Sequence, residues 1–331
     1  MDAADRTQTE DRLRPLAGLE RPRVTVVRAG GLGDSLLILP AIRLLRARLP
    51  GAWVTWVGSH WAEALRPLLP FPLEIVRFDA AALACLFGPS ADHDPAGVFA
   101  EADAVVLYSA SPDEDLAQNA ARLCPGPVIV WPSMPPPGEH AAVHFARAVA
   151  DGTSGAPALP DPPDLAVPAD LRLWGRSWIE GRLGAGTVPV AVHPGSGGRR
   201  KCWPADRFAE VAGRLGRPVL AIEGPADADT ARAFLSRVPH GLPVAHADNM
   251  TLPQLCSLLA CSALCVGNDS GVSHLAAAMG LPTVSVFGST DPAIWAPRGP
   301  RAAAVTGTAP GAWPEAAAVL DVVRRTVAAA R

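Results

Sequence analysis

Short apolar runs punctuated by polar turns recur along the chain. They fall at 24–27, 53–57, 73–76, 104–108 and 128–131, and again at 188–192, 219–223, 263–266, 283–287 and 303–305. Each is too short for a stable helix and is rich in Val, Ile, Leu and Ala, so each reads as a strand buried on both faces. Between them lie longer stretches with helical spacing of apolar residues, at 35–48, 80–86, 113–123, 139–150, 169–183, 205–215, 227–238, 250–261, 272–279 and 315–330. Strands alternating with helices predict βαβ units and parallel sheets. The pattern starts twice in the same way, as strand, glycine-rich loop and helix, near residue 24 and near residue 188. This predicts an α/β chain of two Rossmann-like halves. A Gly- and Pro-rich stretch at 151–168 reads as the connection between them, and the polar residues 1–21 read as a flexible lead-in.

The stretch 263–295 is the most informative. An apolar strand meets the turn Gly267-Asn268-Asp269-Ser270-Gly271, a small-residue helix follows, and Gly280 and Pro282 end it. A strand–turn–helix unit of this kind lies at the carboxyl edge of a parallel sheet, where α/β proteins bind ligands. Asp269 or Ser270 can cap the helix, leaving N–H groups near Gly271 to meet a phosphate. His274, four residues after Ser270, falls on the same helix face. The ordinary alternative is a core histidine and two capping residues.

Composition narrows the class. The 331 residues suit two domains, 49% hydrophobic content supports large cores, and 18% charged residues argue against disorder. A net charge of −3 gives no reason to expect nucleic acid as a partner. The six cysteines form no CxxC pair, which suits reduced thiols in a cytoplasm. The N-terminus has no apolar core of a signal peptide, and no apolar run reaches the ~20 residues of a membrane span. Peripheral contact with a membrane stays open.

Two further loops carry candidate chemistry. Residues 28–34, RAGGLGD, place Gly30, Gly31 and Gly33 where the backbone can approach a ligand, but the spacing is not GxGxxG and no ribose-binding acid follows. That disfavours a dinucleotide-dependent dehydrogenase. Residues 193–204, HPGSGGRRKCWP, lack the Gly and the Ser or Thr that a nucleotide-binding P-loop would need at positions 200 and 202. The loop still offers backbone donors with Arg199, Arg200 and Lys201, which suit a diphosphate; a solvated basic turn is the alternative. His140 and His144 have helical i, i+4 spacing without the glutamate of a zinc motif. The acidic triplets at 92–94, 113–115 and 227–229 are short enough to arise by chance. No metal site is expected.

The segments HPGSGGRRKCWP and GNDSGVSHLAAAMGLPTVSVFGSTDPAIW, with the opening GGLGDSLLILPAIRLLRARLP, resemble glycosyltransferase family 9, the ADP-heptose:lipopolysaccharide heptosyltransferases and their relatives. The resemblance runs from residue 24 through nearly all of the chain. It implies the GT-B fold, with an acceptor-side domain at 22–168 and a donor domain at 169–314 facing each other across a cleft. A last helix, 315–331, would return to the N-terminal domain. It implies inverting, metal-independent transfer from a nucleotide-diphosphate sugar, such as ADP-heptose, to a glycan, glycolipid or small-molecule acceptor. In that frame Asp34 matches the general base, on the acceptor-side loop of Gly30, Gly31 and Gly33. Lys201 matches the lysine on the donor diphosphate. Donor binding falls to His193, Gly195, Ser196, Gly197, Arg200, Lys201, Asn268, Asp269, Ser270, Gly271 and His274. Asp227 falls near a family glutamate that holds the nucleotide ribose, with Asp229 competing for that role. Asp34 has a plainer alternative as the N-cap of the helix at 35–48. Another nucleotide sugar, an epimerase-like reaction and a binder without catalysis remain the rival functions.

Overall fold

The computed structural model describes residues 11–89, 91–152, 155–162, 164–309 and 311–328. The chain divides into two compact units, residues 1–66 with 71–160, and residues 67–70 with 161–331.

The first unit holds β1 (Arg23–Val27), β2 (Trp53–Gly58), β3 (Glu74–Arg77), β4 (Ala104–Ser109) and β5 (Val128–Pro132). They form one parallel sheet in the order β3-β2-β1-β4-β5. The buried run of β4 explains its continuous apolar sequence: both faces are covered, so no polar alternation is needed. Val27, Val57, Val105 and Leu107 pack with Leu83, Leu86, Phe99, Ala117 and Ala120 on one side of the sheet.

The second unit holds β6 (Val190–His193), β7 (Val219–Ile222), β8 (Val244–Ala247), β9 (Leu264–Asn268), β10 (Thr283–Val286) and β11 (Ala302–Val305). Its sheet is also parallel, in the order β11-β10-β9-β6-β7-β8. Counted from its own first strand, the order from the far edge is 3-2-1-4-5-6, the doubly wound Rossmann arrangement, and the first unit repeats it with five strands. In each sheet the chain reverses direction between the first and fourth strands. The loops after β1 and β6 therefore open into a crevice at the carboxyl edge of their own sheet.

Several expectations need correction. The helix expected at 35–48 is two helices, Leu32–Leu37 and Leu39–Arg48, because Pro40 supplies no N–H and its ring crowds the carbonyl four residues back. The stretch at 80–86 is a 3-10 helix, Ala81–Phe87. Residues 11–18 are not a flexible lead-in: Leu13 and Leu16 are buried and Arg48 pairs with Asp11 at 2.6 Å. Residues 1–10 lie outside the described part. The final helix, Ala316–Ala328, expected to return to the N-terminal domain, packs its apolar face within the C-terminal unit. Its Val319, Leu320 and Val323 join Val190, Phe208, Val284 and Val305 in one core, which satisfies its apolar face. The strand β8 and the helix His60–Leu65 escaped the sequence pattern. Among the described residues no helix is long and apolar enough to cross a membrane.

Candidate active site

The carboxyl edge of the second sheet gathers most of the expected donor residues into one bonded network. Ser270 is the N-cap of the helix Gly271–Ala278, and its Oγ accepts from Ser273 N at 3.4 Å. Asp269 therefore does not cap. Its carboxylate turns instead to three side chains: Lys201 Nζ donates to Oδ2 at 2.8 Å, Thr290 Oγ1 donates to the same oxygen at 2.7 Å, and His274 Nε2 stands 3.8 Å from Oδ1. Burial alone would raise the Asp269 carboxyl, but His274, Lys201 and Thr290 outweigh it and hold it down to about 2. The Lys201 side chain stays 39% exposed while its partner is buried, so a partly open lysine is tied to a fixed carboxylate.

The loop after β6 is held from beneath. Asn268, wholly buried at the end of β9, donates from Nδ2 to Pro194 O at 2.8 Å and to Gly195 O at 3.1 Å, and accepts from Trp203 N at 2.8 Å. Ser196 Oγ donates to Asp269 O at 2.8 Å. His193, 2% exposed, bonds Ser270 Oγ through Nδ1 at 3.0 Å and Asp227 Oδ2 through Nε2 at 2.9 Å. Asp227 Oδ1 accepts from Ser196 N at 3.2 Å.

The expected donor set thus separates by exposure. His193, Ser196, Asp227, Asn268 and Ser270 are buried and hold the two loops to each other. Lys201 and Gly271 are half-buried, and Gly197 and Arg200 are exposed on the loop. Gly195 and His274 lie within the buried layer. Asp227 sits at the N-cap position of the helix Ala228–Leu235 without capping it. A cap of this type is worth about 1 kcal/mol, so its carboxylate is engaged elsewhere at a cost. Asp229 is exposed and pairs with Arg199 at 3.1 Å and Arg232 at 3.2 Å.

In the first unit, Asp34 is not the N-cap of a helix at 35–48. It is the third residue of the helix Leu32–Leu37, and its Oδ2 reaches back to accept from Gly31 N at 3.0 Å. Its Oδ1 accepts from Arg28 Nη2 at 2.6 Å. The Arg28 guanidinium lies over the Phe145 ring, 4.9 Å from its centroid, with a side chain only 11% exposed. Asp34 is 33% exposed, so one face of a fixed carboxylate is open. Gly30 has φ +148°, and a Cβ there would come within 2.6–2.8 Å of the Asp34 side chain. Glycine is required for the carboxylate to lie where it does. Gly31 supplies its N–H, and Gly33 follows within the first helical turn.

Arg28 and Thr290 are the site residues that sequence reasoning passed over. Arg28 immediately follows β1 and Thr290 lies in the polar turn after β10, positions whose place at the sheet edge was the available signal. The metal alternatives find local uses. His140 Nδ1 accepts from Ala142 N, and His144 bonds Glu139 and Pro132 O. Asp94 accepts from Phe99 N and Ala100 N. Asp113 and Glu114 sit just before the helix Asp115–Leu123, with Glu114 bonded to the Ser109 hydroxyl. Among the described residues no group of three His, Cys, Asp or Glu side chains is placed to hold a metal ion.

Known proteins resemble this chain in part of its sequence and in its fold. Lipopolysaccharide heptosyltransferase 3 of Escherichia coli is 34% identical over 121 residues, which cover 34% of this chain and 35% of that protein. The chain thus aligns with about a third of the length of that relative. The structure of E. coli ADP-heptose lps heptosyltransferase II superposes with a TM-score of 0.74 at 18% identity, over 93% of this chain and 99% of the other. The dodecameric iron-containing heptosyltransferase TibC of enterotoxigenic E. coli, solved in complex with ADP-D-beta-D-heptose, gives a TM-score of 0.55 at 15% identity, over 94% of this chain and 77% of that one. At such identities the two structures speak to the fold: two Rossmann-like α/β domains. The profile described as glycosyltransferase family 9 (heptosyltransferase) matches residues 131–317, more than half of the sequence and all of the donor-side network, and the chain belongs to that family.

Proposed function

We propose that this protein is an inverting glycosyltransferase that moves heptose from ADP-heptose to a hydroxyl group of a glycan, a glycolipid or a small-molecule acceptor in the cytoplasm. The observation that carries the reading is the pairing of half-exposed Lys201 with buried Asp269 beside the N-terminus of Gly271–Ala278. A departing ADP gains negative charge as the glycosidic bond breaks. An ammonium held in place and the positive end of a helix dipole both stabilise that charge without reorganising. Exposed Arg200 adds to the field, so the leaving group is neutralised by the chain itself and transfer needs no divalent ion.

Asp34 supplies the base in this reading. Inversion requires one proton to leave the acceptor hydroxyl as its oxygen attacks the anomeric carbon. A carboxylate fixed by Arg28 and Gly31 N, with an open face, can accept that proton. Contact with the inner face of a membrane belongs to this proposal as well, through a lipid-linked acceptor.

Purified protein incubated with ADP-heptose and a panel of acceptors should release ADP and form glycoside. UDP- and GDP-sugars should give little product. Excess EDTA should leave the rate largely intact. Loss of activity in EDTA, restored by iron, manganese or magnesium, overturns the metal-free part. NADH-linked turnover, epimerisation of the sugar nucleotide, or nucleotide binding without any turnover would each replace the transferase reading.

A further inference from the structure

Asp227, His193 and Ser270 form a buried chain, with Ser270 Oγ to His193 Nδ1 at 3.0 Å and His193 Nε2 to Asp227 Oδ2 at 2.9 Å. All three are less than a tenth exposed. The chain reaches from the start of the helix after β7 to the first turn of the helix after β9, passing through the end of β6. Its chemistry is directional. An ionised carboxylate only accepts hydrogen bonds, so the His193 proton must sit on Nε2. In the neutral imidazole Nδ1 then presents a lone pair, and the Ser270 hydroxyl gives its proton to it. The Ser270 oxygen is left as an acceptor, which is what Ser273 N meets at 3.4 Å. Ser273 Oγ gives its own proton to Asn268 O at 2.6 Å, so it donates none to Ser270, and at 3.5 Å it is a more distant acceptor for the Ser270 hydroxyl than His193 Nδ1.

We propose that Asp227 and His193 are positioning residues that fix the direction of the Ser270 hydroxyl and so lock the N-cap of Gly271–Ala278. Ser270 is then occupied internally, and the main-chain N–H groups that open the helix are left for the donor diphosphate. Two observations make Asp227 specific to this task. Its carboxylate forgoes its own helix, whose N-cap position it occupies. It is also seated against two glycines: a Cβ at Gly195 would strike the carboxyl carbon, and one at Gly224 would come within 2.5 Å of Oδ2. Asp227 acts through His193 here, not on the ribose of the nucleotide. This role deepens the donor-site reading above and rests on it, except for the direction of the protons, which is a property of the free protein.

Asp227→Asn tests the chain. Asparagine keeps the size and can still accept from Ser196 N, but its amide donates to Nε2. That forces the proton of His193 onto Nδ1 and turns the Ser270 hydroxyl around, the wrong-tautomer effect of an Asp-to-Asn change beside histidine. Nitrogen-15 spectra of histidine-labelled protein should show His193 protonated at Nε2 in the wild type and at Nδ1 in Asp227→Asn, with a melting temperature close to wild type. A wild-type His193 protonated at Nδ1 overturns the proposal whatever the protein catalyses. In turnover of ADP-heptose, Asp227→Asn should lower kcat by about 10- to 100-fold with little change in KM, as for loss of a preorganised charge contact. The same substitution made in Ser270→Ala should have almost no further effect, because its route is gone. Additive losses in the double variant, or a rise in KM for ADP-heptose alone, would return Asp227 to direct contact with the nucleotide. If no variant or wild type turns over ADP-heptose, the transferase reading has failed, and the spectra still decide the direction of the relay.

Discussion

The loops after β1 and β6 occupy the same place in two sheets of the same topology, yet they are built in opposite ways. The loop after β1 is short, open and glycine-rich. Its carboxylate, Asp34, is oriented by Arg28 of the same loop and one backbone N–H. The loop after β6 is stitched from below by Asn268, Ser196 and His193 and carries its cations on top. The difference matches what each would do in sugar transfer. A base would have to stay accessible to acceptors that come and go, and the Asp34 side chain keeps a third of its surface in solvent. A site for a developing diphosphate gains most from dipoles that do not move during the reaction, so its loop is bonded into the core.

The largest effect should come from the open loop. Asp34→Asn retains an oxygen for Gly31 N but removes the proton acceptor, and should lower transfer by about 10²- to 10⁴-fold while the folded protein still binds ADP. Comparable rates in the variant, measured by product formation, would reduce Asp34 to a helix residue that ties back its own first turn. Lys201→Ala should come next, with kcat falling by roughly 10²-fold because the charge it opposes builds in the transition state. If only KM moves, the lysine merely binds.

The stitched loop should show its character in stability. Asn268→Ala would leave Pro194 O, Gly195 O and Trp203 N buried without partners, and each such group costs about 1–3 kcal/mol. Denaturant unfolding should register a loss of several kcal/mol. The contrasting change in the open loop, Gly30→Ala, should cost only about 1–2 kcal/mol of backbone strain, yet it should impair transfer by pushing Asp34 aside. A large stability loss at Gly30 with small loss at Asn268 would invert the comparison.

The smallest effect is electrostatic. The folded state lowers the Asp269 carboxyl from 3.8 to about 2. Depression of this sign gives stability that is fully present above pH 3.8 and is lost as pH falls through about 2. Asp269→Asn should therefore show a shallower fall in stability between pH 4 and pH 2 than the wild type. Equal slopes would mean that Lys201, Thr290 and His274 do not hold the charged form.

Much of this was legible beforehand because it is local. The parallel architecture followed from apolar runs such as 104–108, since a strand buried on both faces cannot hide its composition. The helices 169–183 and 205–215 were found with their observed ends, Ala169–Leu183 and Ala205–Leu215, where Pro168 and Pro204 open them. The edge strand β8 was missed because VAHA is short and only half-buried, which leaves little pattern to read. The partner of the final helix needs the structure, because an amphipathic face states that it needs a partner, not which one.

By itself the sequence determined the two-unit α/β plan, the family, and the three segments that carry chemistry, because strand and turn preferences act over a few residues. Only the tertiary structure decided what each candidate does within those segments. His193, Asp227 and Ser270 are 34 to 77 positions apart in the chain and form one chain of hydrogen bonds in the fold. Asp269 and Ser270 are neighbours, yet one faces Lys201 and the other caps a helix. Direction and burial of a side chain depend on which loops the sheet order brings together at its carboxyl edge, and that order is set by the packing of the whole unit.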